Sequence, residues 1–166
     1  MFILVTVAIL LGLGLILLLN RSAQPIAVEK AYYQPRGAEQ QQLERLAPEQ
    51  FERLCLRLVE QMGLSISGCH RNTQQEIDIT AVSSQPITGG NYIVRCVLIP
   101  PERPIHSTQV IALSSTVLAE RALKGIFITN GFFSEEVPKL TEGPTIELIN
   151  GQRLRQMMRE HRISLA

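Results

Sequence analysis

The sequence has little net charge, few cysteines and few lysines. Sixteen Lys and Arg residues against fifteen Asp and Glu residues leave a formal net charge of +1, which lacks the basic excess typical of a nucleic-acid-binding domain. The three cysteines, Cys55, Cys69 and Cys96, are an odd number without Cys-x-x-Cys spacing, which argues against a disulfide framework or a zinc site. Reduced thiols of this kind are typical of a cytosolic domain, in which they act as small core residues.

The first twenty residues contain a long apolar run. Residues 2–19 (FILVTVAILLGLGLILLL) have no charged side chain, and Thr6 is their only polar residue. As a helix this run is about 27 Å long, close to the hydrocarbon thickness of a bilayer. Because a helix that is apolar on every face cannot be solvated by water, we predict a transmembrane anchor over residues 1–20. A cleaved signal peptide is the competing interpretation, but no basic residue precedes the run, and it is longer than the apolar region of such peptides.

All Lys and Arg residues follow this run, beginning with Arg21. The positive-inside rule therefore predicts a single-pass protein of the inner (cytoplasmic) membrane, with its N-terminus outside and its remaining chain in the cytoplasm. Residues 21–46 mix Gln, Pro, Ala and alternating charges without a sustained apolar face, which predicts a linker or juxtamembrane helix. The remainder, residues 47–166, is about 120 residues long and is large enough for one folded domain.

Apolar periodicity predicts an α/β fold for this domain. An amphipathic helix begins at Pro48 and ends before Gly63, since Pro suits the first helical turn and Gly the end. The predicted strands cover residues 64–68, 77–82, 92–99, 125–129 and 145–149, and the later helices cover residues 107–122, a short stretch from Ser134, and a stretch from Asn150 or Gly151. The order α-β-β-β-α-β-α-β-α predicts a three-layer sandwich with a mixed sheet.

Six segments in this order resemble a known family. They are Ala47–Leu54 (APEQFERL), Met62–Gly63, Ile77–Asp78, Tyr92–Cys96 (YIVRC), Lys124–Ser134 (KGIFITNGFFS) and Ile146–Leu154 (IELINGQRL). Together they resemble the Mrr-type domain of type IV restriction endonucleases, over about residues 46 to 158. That family belongs to the restriction-endonuclease-like PD-(D/E)XK superfamily. The resemblance implies an αβββαβ core and a magnesium-dependent endodeoxyribonuclease.

The family's catalytic residues match only part of this sequence. In the family, a strand Asp and a Gln or Glu on the next strand bind magnesium, a Lys two residues later positions or activates the attacking water, and a Glu on the first helix often completes the site. Asp78, the only Asp in the chain, matches the metal-binding Asp, and Glu52 matches the helix Glu. Arg95-Cys96-Val97 replaces the Gln/Glu-x-Lys motif. Because a guanidinium offers no lone pair to a cation and Val97 carries no proton to transfer, we predict a degenerate catalytic motif.

The residues around Asp78 allow two further interpretations. Glu76 lies two positions before Asp78 and shares its strand face, so Glu76 is a candidate replacement for the lost ligand. Arg95 is instead a candidate for an ion pair with Asp78 or Glu52, since a carboxylate in a metal pocket without its cation needs a counter-charge. Phe132 and Phe133 suggest either a base-stacking loop or core residues, and the core interpretation is favoured.

Two functions of different classes remain open from the sequence. The first is a membrane-anchored, catalytically impaired Mrr-like domain that binds DNA weakly or binds a protein partner, and that needs no cofactor. The alternative is an active DNA endonuclease of a restriction or DNA-defence system, with Mg²⁺ held by Asp78. The Arg95 and Val97 replacements favour the first function.

Overall fold

The computed structural model describes residues 42–43, 45–86, 89–137 and 145–164. Its helices are α1 (Pro48–Gln61), α2 (Ser107–Ala119) and α3 (Gly151–Glu160). Its strands are β1 (Ser65–Thr73), β2 (Glu76–Ser83), β3 (Gly90–Val97), β4 (Pro104–Ile105), β5 (Lys124–Thr129), β6 (Phe132–Phe133) and β7 (Ile146–Ile149). The predicted anchor and most of the predicted linker lie outside the described residues. Within the described part of the chain, no helix combines the length and apolar character that a membrane span requires.

Five strands form one mixed sheet in the order β1-β2-β3-β5-β7. Strands β1, β2 and β3 pair antiparallel, whereas β3–β5 and β5–β7 pair parallel. Helix α2 makes the crossover connection from β3 to β5, which a parallel pair needs. The prediction of an α/β fold with a mixed sheet is confirmed.

Strand β3 shows how the sheet is covered on both faces. Val94 and Cys96 point into a core cluster that includes the buried side chains of α1 and α3. Ile93 and Val97 point the other way, into a second cluster that includes the buried side chains of α2. Because successive strand residues face opposite sides, the helices pack on both faces of the sheet.

Local residue types fix where two of the helices begin and end. Pro48 opens α1, and Gly63, with φ of 81°, follows its end in the left-handed region that glycine adopts without strain. Asn150 caps α3 by accepting a hydrogen bond from Arg153 N at 2.8 Å. A Cβ atom on Gly151 would lie 2.1 Å from Asn130 O, so the first residue of α3 has to be a glycine.

The structure differs from the sequence prediction at several places. Strand β1 continues to Thr73 instead of ending at Gly68; its added residues are polar and exposed on an edge strand, so they show no alternation. Leu43, inside the segment interpreted as a linker, is only 1% exposed and belongs to the core. Strands β4 and β6 have two residues each, too few for a periodic pattern. At the predicted start of the short helix from Ser134, residues 134–137 contain no α-helix, and residues 138–144 lie outside the described ranges.

Candidate functional site

The register of the sheet places Asp78 on β2 directly opposite Arg95 on β3. Their side chains lie on the same face as Ile93 and Val97, which is the face that α2 covers. On its other side, Arg95 lies opposite Phe127 of β5, which is fully buried. The backbone pairing alone therefore brings the only aspartate of the chain against an arginine.

Asp78 and Arg95 form a bidentate ion pair. Arg95 Nε donates to Asp78 Oδ1 at 2.8 Å, and Arg95 Nη2 donates to Asp78 Oδ2 at 2.6 Å. Glu76 Oε1 lies 3.4 Å from Arg95 Nε, as expected for a residue two positions from Asp78 on the same strand face. The predicted ion pair is thus present with Asp78, and Glu76 adds a second carboxylate to it.

Burial makes this ion pair energetically important. Arg95 is only 8% exposed, and a guanidinium removed from water needs both charge compensation and hydrogen bonds. The hydrogen bond to Asp78 raises the pKa of the Arg95 guanidinium above its ordinary value, and the nearby charges of Asp78 and Glu76 act in the same direction against burial. Arg95 therefore stays positively charged.

Asn72 of β1 completes the polar cluster. Its Nδ2 donates to Glu76 Oε1 at 2.9 Å and to Asp78 Oδ2 at 3.0 Å. Both carboxylates are therefore held by donors, an amide on one side and a guanidinium on the other. We call these four residues, Asn72, Glu76, Asp78 and Arg95, the carboxylate–arginine cluster.

The structure does not bring Glu52 into this cluster. Glu52 on α1 instead accepts a hydrogen bond from Arg71 Nη2, and the two form an ion pair. Arg71 lies opposite Ile77, which points into the α1 side of the sheet, whereas the next residue, Asp78, points to the α2 side. The family role predicted for Glu52 stays a prediction.

The residues present do not fit a bound Mg²⁺ ion. Magnesium needs near-octahedral oxygen coordination with several retained waters, but both Asp78 oxygens are engaged by a guanidinium. Among the residues that the structure describes, no group of three or more His, Cys, Asp or Glu side chains is arranged to hold a metal ion. Val97, which the sequence resemblance places at the family's Lys position, is 5% exposed and packs in the α2-side core.

The three cysteines show no reactive arrangement. Burial raises the pKa of the Cys96 thiol well above its ordinary value, and a hydrogen bond with Cys55 adds to this. Burial and the negative charge of Glu52 also raise the pKa of Cys69, although that residue is exposed. Since the thiolate is the nucleophile, the raised pKa makes the Cys69 and Cys96 thiols weakly reactive. The prediction of core residues is confirmed for Cys55 and Cys96, which are buried, and is wrong for Cys69, which is exposed on the edge strand β1.

Sequence reasoning missed two residues of this region, Arg71 and Asn72. Both lie on the part of β1 beyond Gly68, where exposed polar residues gave no strand pattern. Asn72 enters the cluster only because β1 turns tightly into β2, with Thr73 opposite Glu76. Predicting an antiparallel hairpin over residues 65–83 would have placed Asn72 beside β2. The sequence prediction ended the first strand at Gly68 and therefore left Asn72 outside the sheet.

Comparison with known proteins agrees with this fold. Residues 43–158 match the restriction endonuclease family Mrr_cat. No curated protein matches the sequence. Among solved structures, the DNA modification-dependent restriction endonuclease AspBHI is similar, with a TM-score of 0.57 and 12% identity, over 78% of this chain and 37% of that chain. MspJI restriction endonuclease, in a complex with a 27-mer oligonucleotide, gives a TM-score of 0.47 and 18% identity, over 74% of this chain and 30% of that chain.

The likeness to AspBHI is at low identity, so it concerns the fold alone. The chain also spans well under half the length of either solved relative. The family match is more extensive, since it covers well over half of the chain and includes α1, the whole five-stranded sheet and most of α3. On that match, the chain belongs to the Mrr_cat family of restriction endonuclease domains.

Proposed function

We propose that this chain is a membrane-anchored, catalytically inactive member of its family that acts by binding DNA or a protein partner. The proposal rests on one contact, the ion pair that Arg95 makes with both oxygens of Asp78. Asp78 matches the position at which the family resemblance implies a metal-binding carboxylate. In this chain the positive charge next to that carboxylate comes from the Arg95 side chain, where the resemblance implies a metal ion.

The energetics of Arg95 support inactivity. A cation that took up Asp78 would have to displace the guanidinium or lie beside it. Displacement leaves a charge buried without its partner, which costs about 3–5 kcal/mol. Coexistence sets two positive charges a few ångströms apart in a site that is partly shielded from water. Either route weakens metal binding at Asp78.

The amine of the family motif also lacks a substitute among the described residues. Val97 replaces the Lys and is packed in the core. Lys124, the one lysine within the described ranges, has its Nζ 2.5 Å from Glu147 Oε2 on β7. Without an ammonium beside the attacking water, a phosphodiester cleavage loses one of its main electrostatic contributions.

The binding role is proposed from charge and family membership. The formal net charge of +1 predicts weak DNA binding. Each phosphate contact that is made adds to the salt dependence of this binding, because it releases counterions. A protein partner is the other candidate. The anchor proposed over residues 2–19 would hold the domain at the cytoplasmic face of the inner membrane and confine either partner to that surface.

An active Mg²⁺-dependent endonuclease remains the second candidate, for one specific reason. Asp78 and Glu76 share a strand face and converge with Asn72, so three oxygen-bearing side chains lie together. If Arg95 rotated away on DNA binding, this set would offer oxygen ligands to a cation. The cost of exposing Arg95 is the physical argument against this route.

Plasmid cleavage separates the two functions. The full chain in mild detergent is incubated with methylated and unmethylated plasmid, with Mg²⁺ or Mn²⁺, beside the variants Asp78→Ala and Glu102→Ala. We expect no cleavage from any of the three proteins. Metal-dependent cleavage that is lost in Asp78→Ala and kept in Glu102→Ala, a control at an exposed carboxylate, would establish the enzyme and refute the inactive assignment.

DNA binding is measured separately by gel shift at increasing salt. If the partner is DNA, the affinity falls steeply with ionic strength, with a slope set by the number of phosphate contacts. An absence of any shift at low salt would leave the protein partner as the surviving version of the proposal.

A further inference from the structure

The last helix of the domain carries an excess of positive charge that the proposed function does not use. Residues 151–164 contain four arginines and a single acid, Glu160. The arginines are Arg153, Arg155, Arg159 and Arg162, and we call them the α3 arginine patch. All of them are exposed except Arg155, which is partly buried. This local excess contrasts with the formal net charge of +1 for the whole chain.

Helix stability accounts for only part of the α3 arginine patch. Arg159 lies in the last turn of α3, where the helix macrodipole favours a cation. Arg153 lies in the first turn, where the macrodipole favours an acid, and this turn contains none. Arg153 Nη1 is 3.6 Å from Glu160 Oε1, but about half of each side chain is exposed, so this ion pair contributes little. Arg153 is therefore not explained by stabilisation of its own helix.

The side of the sheet that α1 and α3 cover keeps a positive formal charge. Helix α1 carries two exposed arginines and two exposed glutamates, which balance; they are Arg53, Arg57, Glu49 and Glu60. Two ion pairs, Arg71–Glu52 and Lys124–Glu147, are each neutral. The excess on this side thus comes from the α3 arginine patch.

The charge has the opposite sign around α2, on the other side of the sheet. Four exposed acids and two exposed bases border that helix, namely Glu102, Glu120, Glu135, Glu136, Arg103 and Arg121. One of these acids, Glu136, accepts a hydrogen bond from Ser107 of α2 at 3.3 Å. Asp78 also faces the α2 side, so the α3 arginine patch and the carboxylate–arginine cluster lie on opposite sides of the sheet.

The chain enters the domain on the side that carries the patch. Leu43 is 1% exposed and packs in the core cluster that α1 and α3 share. In sequence it follows the anchor proposed over residues 2–19. The segment that leads from the proposed anchor into the domain therefore joins the positively charged side.

We propose that the α3 arginine patch docks on the anionic lipid headgroups of the membrane that holds the anchor. Guanidinium groups donate paired hydrogen bonds to phosphate oxygens, and each basic residue near an anionic leaflet strengthens the attraction about fivefold. The apolar side chains of α3, Leu154, Met157 and Met158, are buried in the core. The helix thus stays at the headgroup level without inserting, and the contact is electrostatic.

This docking sets the orientation of the domain. An anionic surface attracts the α3 side and repels the acids around α2. The α2 side, with the carboxylate–arginine cluster, then faces away from the bilayer and stays open to a partner. Tethering by the anchor raises the effective concentration of headgroups at the patch, so a few weak contacts suffice.

DNA offers the same phosphate chemistry, but two observations favour lipid. DNA held at the patch would lie on the far side of the sheet from Asp78, away from the position that the family resemblance assigns to the reaction. Helix α3 has ten residues and is about 15 Å long, so it reaches few phosphates of one duplex. A bilayer surface presents headgroups to every arginine of the patch at once.

The inference rests on the anchor of the proposed function, which is tested by itself first. The full chain is mixed with phosphatidylcholine vesicles and floated on a density gradient. Flotation with these uncharged vesicles needs no arginine and reports the anchor alone. If the chain does not float, the anchor is refuted, and docking is judged by whether added phosphatidylglycerol restores flotation.

Docking is measured by energy transfer from a dye on the domain to acceptors on the lipid headgroups. The dye is attached at Gln152→Cys on α3 or at Thr108→Cys on α2, both exposed positions, in a Cys69→Ser background that leaves only buried cysteines. Adding phosphatidylglycerol should raise the transfer from the α3 position more than that from the α2 position. About 1 M salt, with a Debye length of about 3 Å, should remove the rise.

The variant Arg153→Gln/Arg159→Gln removes two charges of the patch. It should lower the ratio of docked to undocked domain about 30-fold, from two steps of about fivefold each. The matched control Arg103→Gln/Arg121→Gln removes two exposed charges beside α2 and should leave the energy transfer from the α3 position unchanged. Circular dichroism checks that both variants fold.

Four results would overturn the inference. They are transfer that does not depend on phosphatidylglycerol, a larger rise at the α2 position, an equal loss in the two double variants, and full docking in Arg153→Gln/Arg159→Gln. A DNA gel shift that this variant abolishes, with no response to phosphatidylglycerol, would assign the patch to nucleic acid instead.

Discussion

Removing the Asp78 carboxylate should strongly destabilise the domain. Arg95 is 8% exposed in the unmodified chain, and in Asp78→Ala it loses two hydrogen bonds of 2.8 and 2.6 Å and keeps only the 3.4 Å contact with Glu76. Breaking a buried ion pair from one side costs about 3–5 kcal/mol. Because Glu76 still offers part of the counter-charge, we expect the free energy of unfolding to fall by about 3 kcal/mol, at the lower end of that range.

A double-mutant cycle separates the ion pair from the loss of side-chain packing. Arg95→Met keeps most of the apolar stem of the side chain and removes the buried charge. The double variant Asp78→Ala/Arg95→Met should therefore be more stable than Asp78→Ala alone, since it no longer buries an uncompensated cation. Pair replacement of this kind is often close to neutral, so we expect a recovery of about 2 kcal/mol.

The assay is urea and thermal unfolding of the full chain in mild detergent, followed by far-ultraviolet circular dichroism. A loss of about 3 kcal/mol corresponds to a fall in Tm of roughly 10 °C for a domain of this size. Glu147→Ala is the matched control, because it breaks the Lys124–Glu147 pair, whose side chains are 31% and 40% exposed. That control should cost about 1 kcal/mol or less. The reasoning is refuted if Asp78→Ala melts within about 1 °C of the unmodified chain.

Two further predictions concern packing and the thiols. Gly151→Ala should lower the free energy of unfolding by about 2 kcal/mol or more, because the added Cβ would lie 2.1 Å from Asn130 O. Gly68→Ala should lower it far less, since the nearest atom to its Cβ would be 3.9 Å away. Similar melting temperatures for the two variants would contradict this. Under native conditions only Cys69 should react with maleimide, since the other two cysteines are buried; mass spectrometry counts the labels, and a second native label would contradict the core packing.

The strongly periodic parts of the fold were predictable from the sequence. Helix α1 and strands β2, β3 and β5 are found within two residues of their predicted bounds, because each has a clear run of buried apolar residues, on one face or on both, with polar or turn residues near its ends. The antiparallel pair β2–β3 then makes the opposition of Asp78 and Arg95 a consequence of register. An ion pair in place of a metal was therefore a reasonable expectation from residue types alone.

Partner choice within the site was not predictable in the same way. The sequence left Asp78 and Glu52 as equal candidates to pair with Arg95, and only the sheet register shows that Arg71, not Arg95, lies on the Glu52 side. Asn72 was missed because β1 runs along the sheet edge, where polar residues on both faces hide the strand pattern. Contacts made by such an edge strand depend on where the hairpin turns, which residue periodicity does not determine.

The absence of charged residues from α2 was visible in the sequence, but which of its apolar side chains are exposed was not. Periodicity predicts a helix there whether one face or both are covered. The structure adds that Leu113 and Val117 face the core while Leu118 is 64% exposed, which identifies an apolar surface without a cover among the described residues.

The most direct test of the central claim is Mn²⁺ binding, measured by electron paramagnetic resonance on the full chain in mild detergent. The unmodified chain should bind no Mn²⁺ at this site, because the Arg95 guanidinium engages both oxygens of Asp78. Arg95→Gln, which restores the family's amide, should gain a site that Asp78→Ala abolishes in the same background. One Mn²⁺ bound by the unmodified chain and lost in Asp78→Ala would contradict the account.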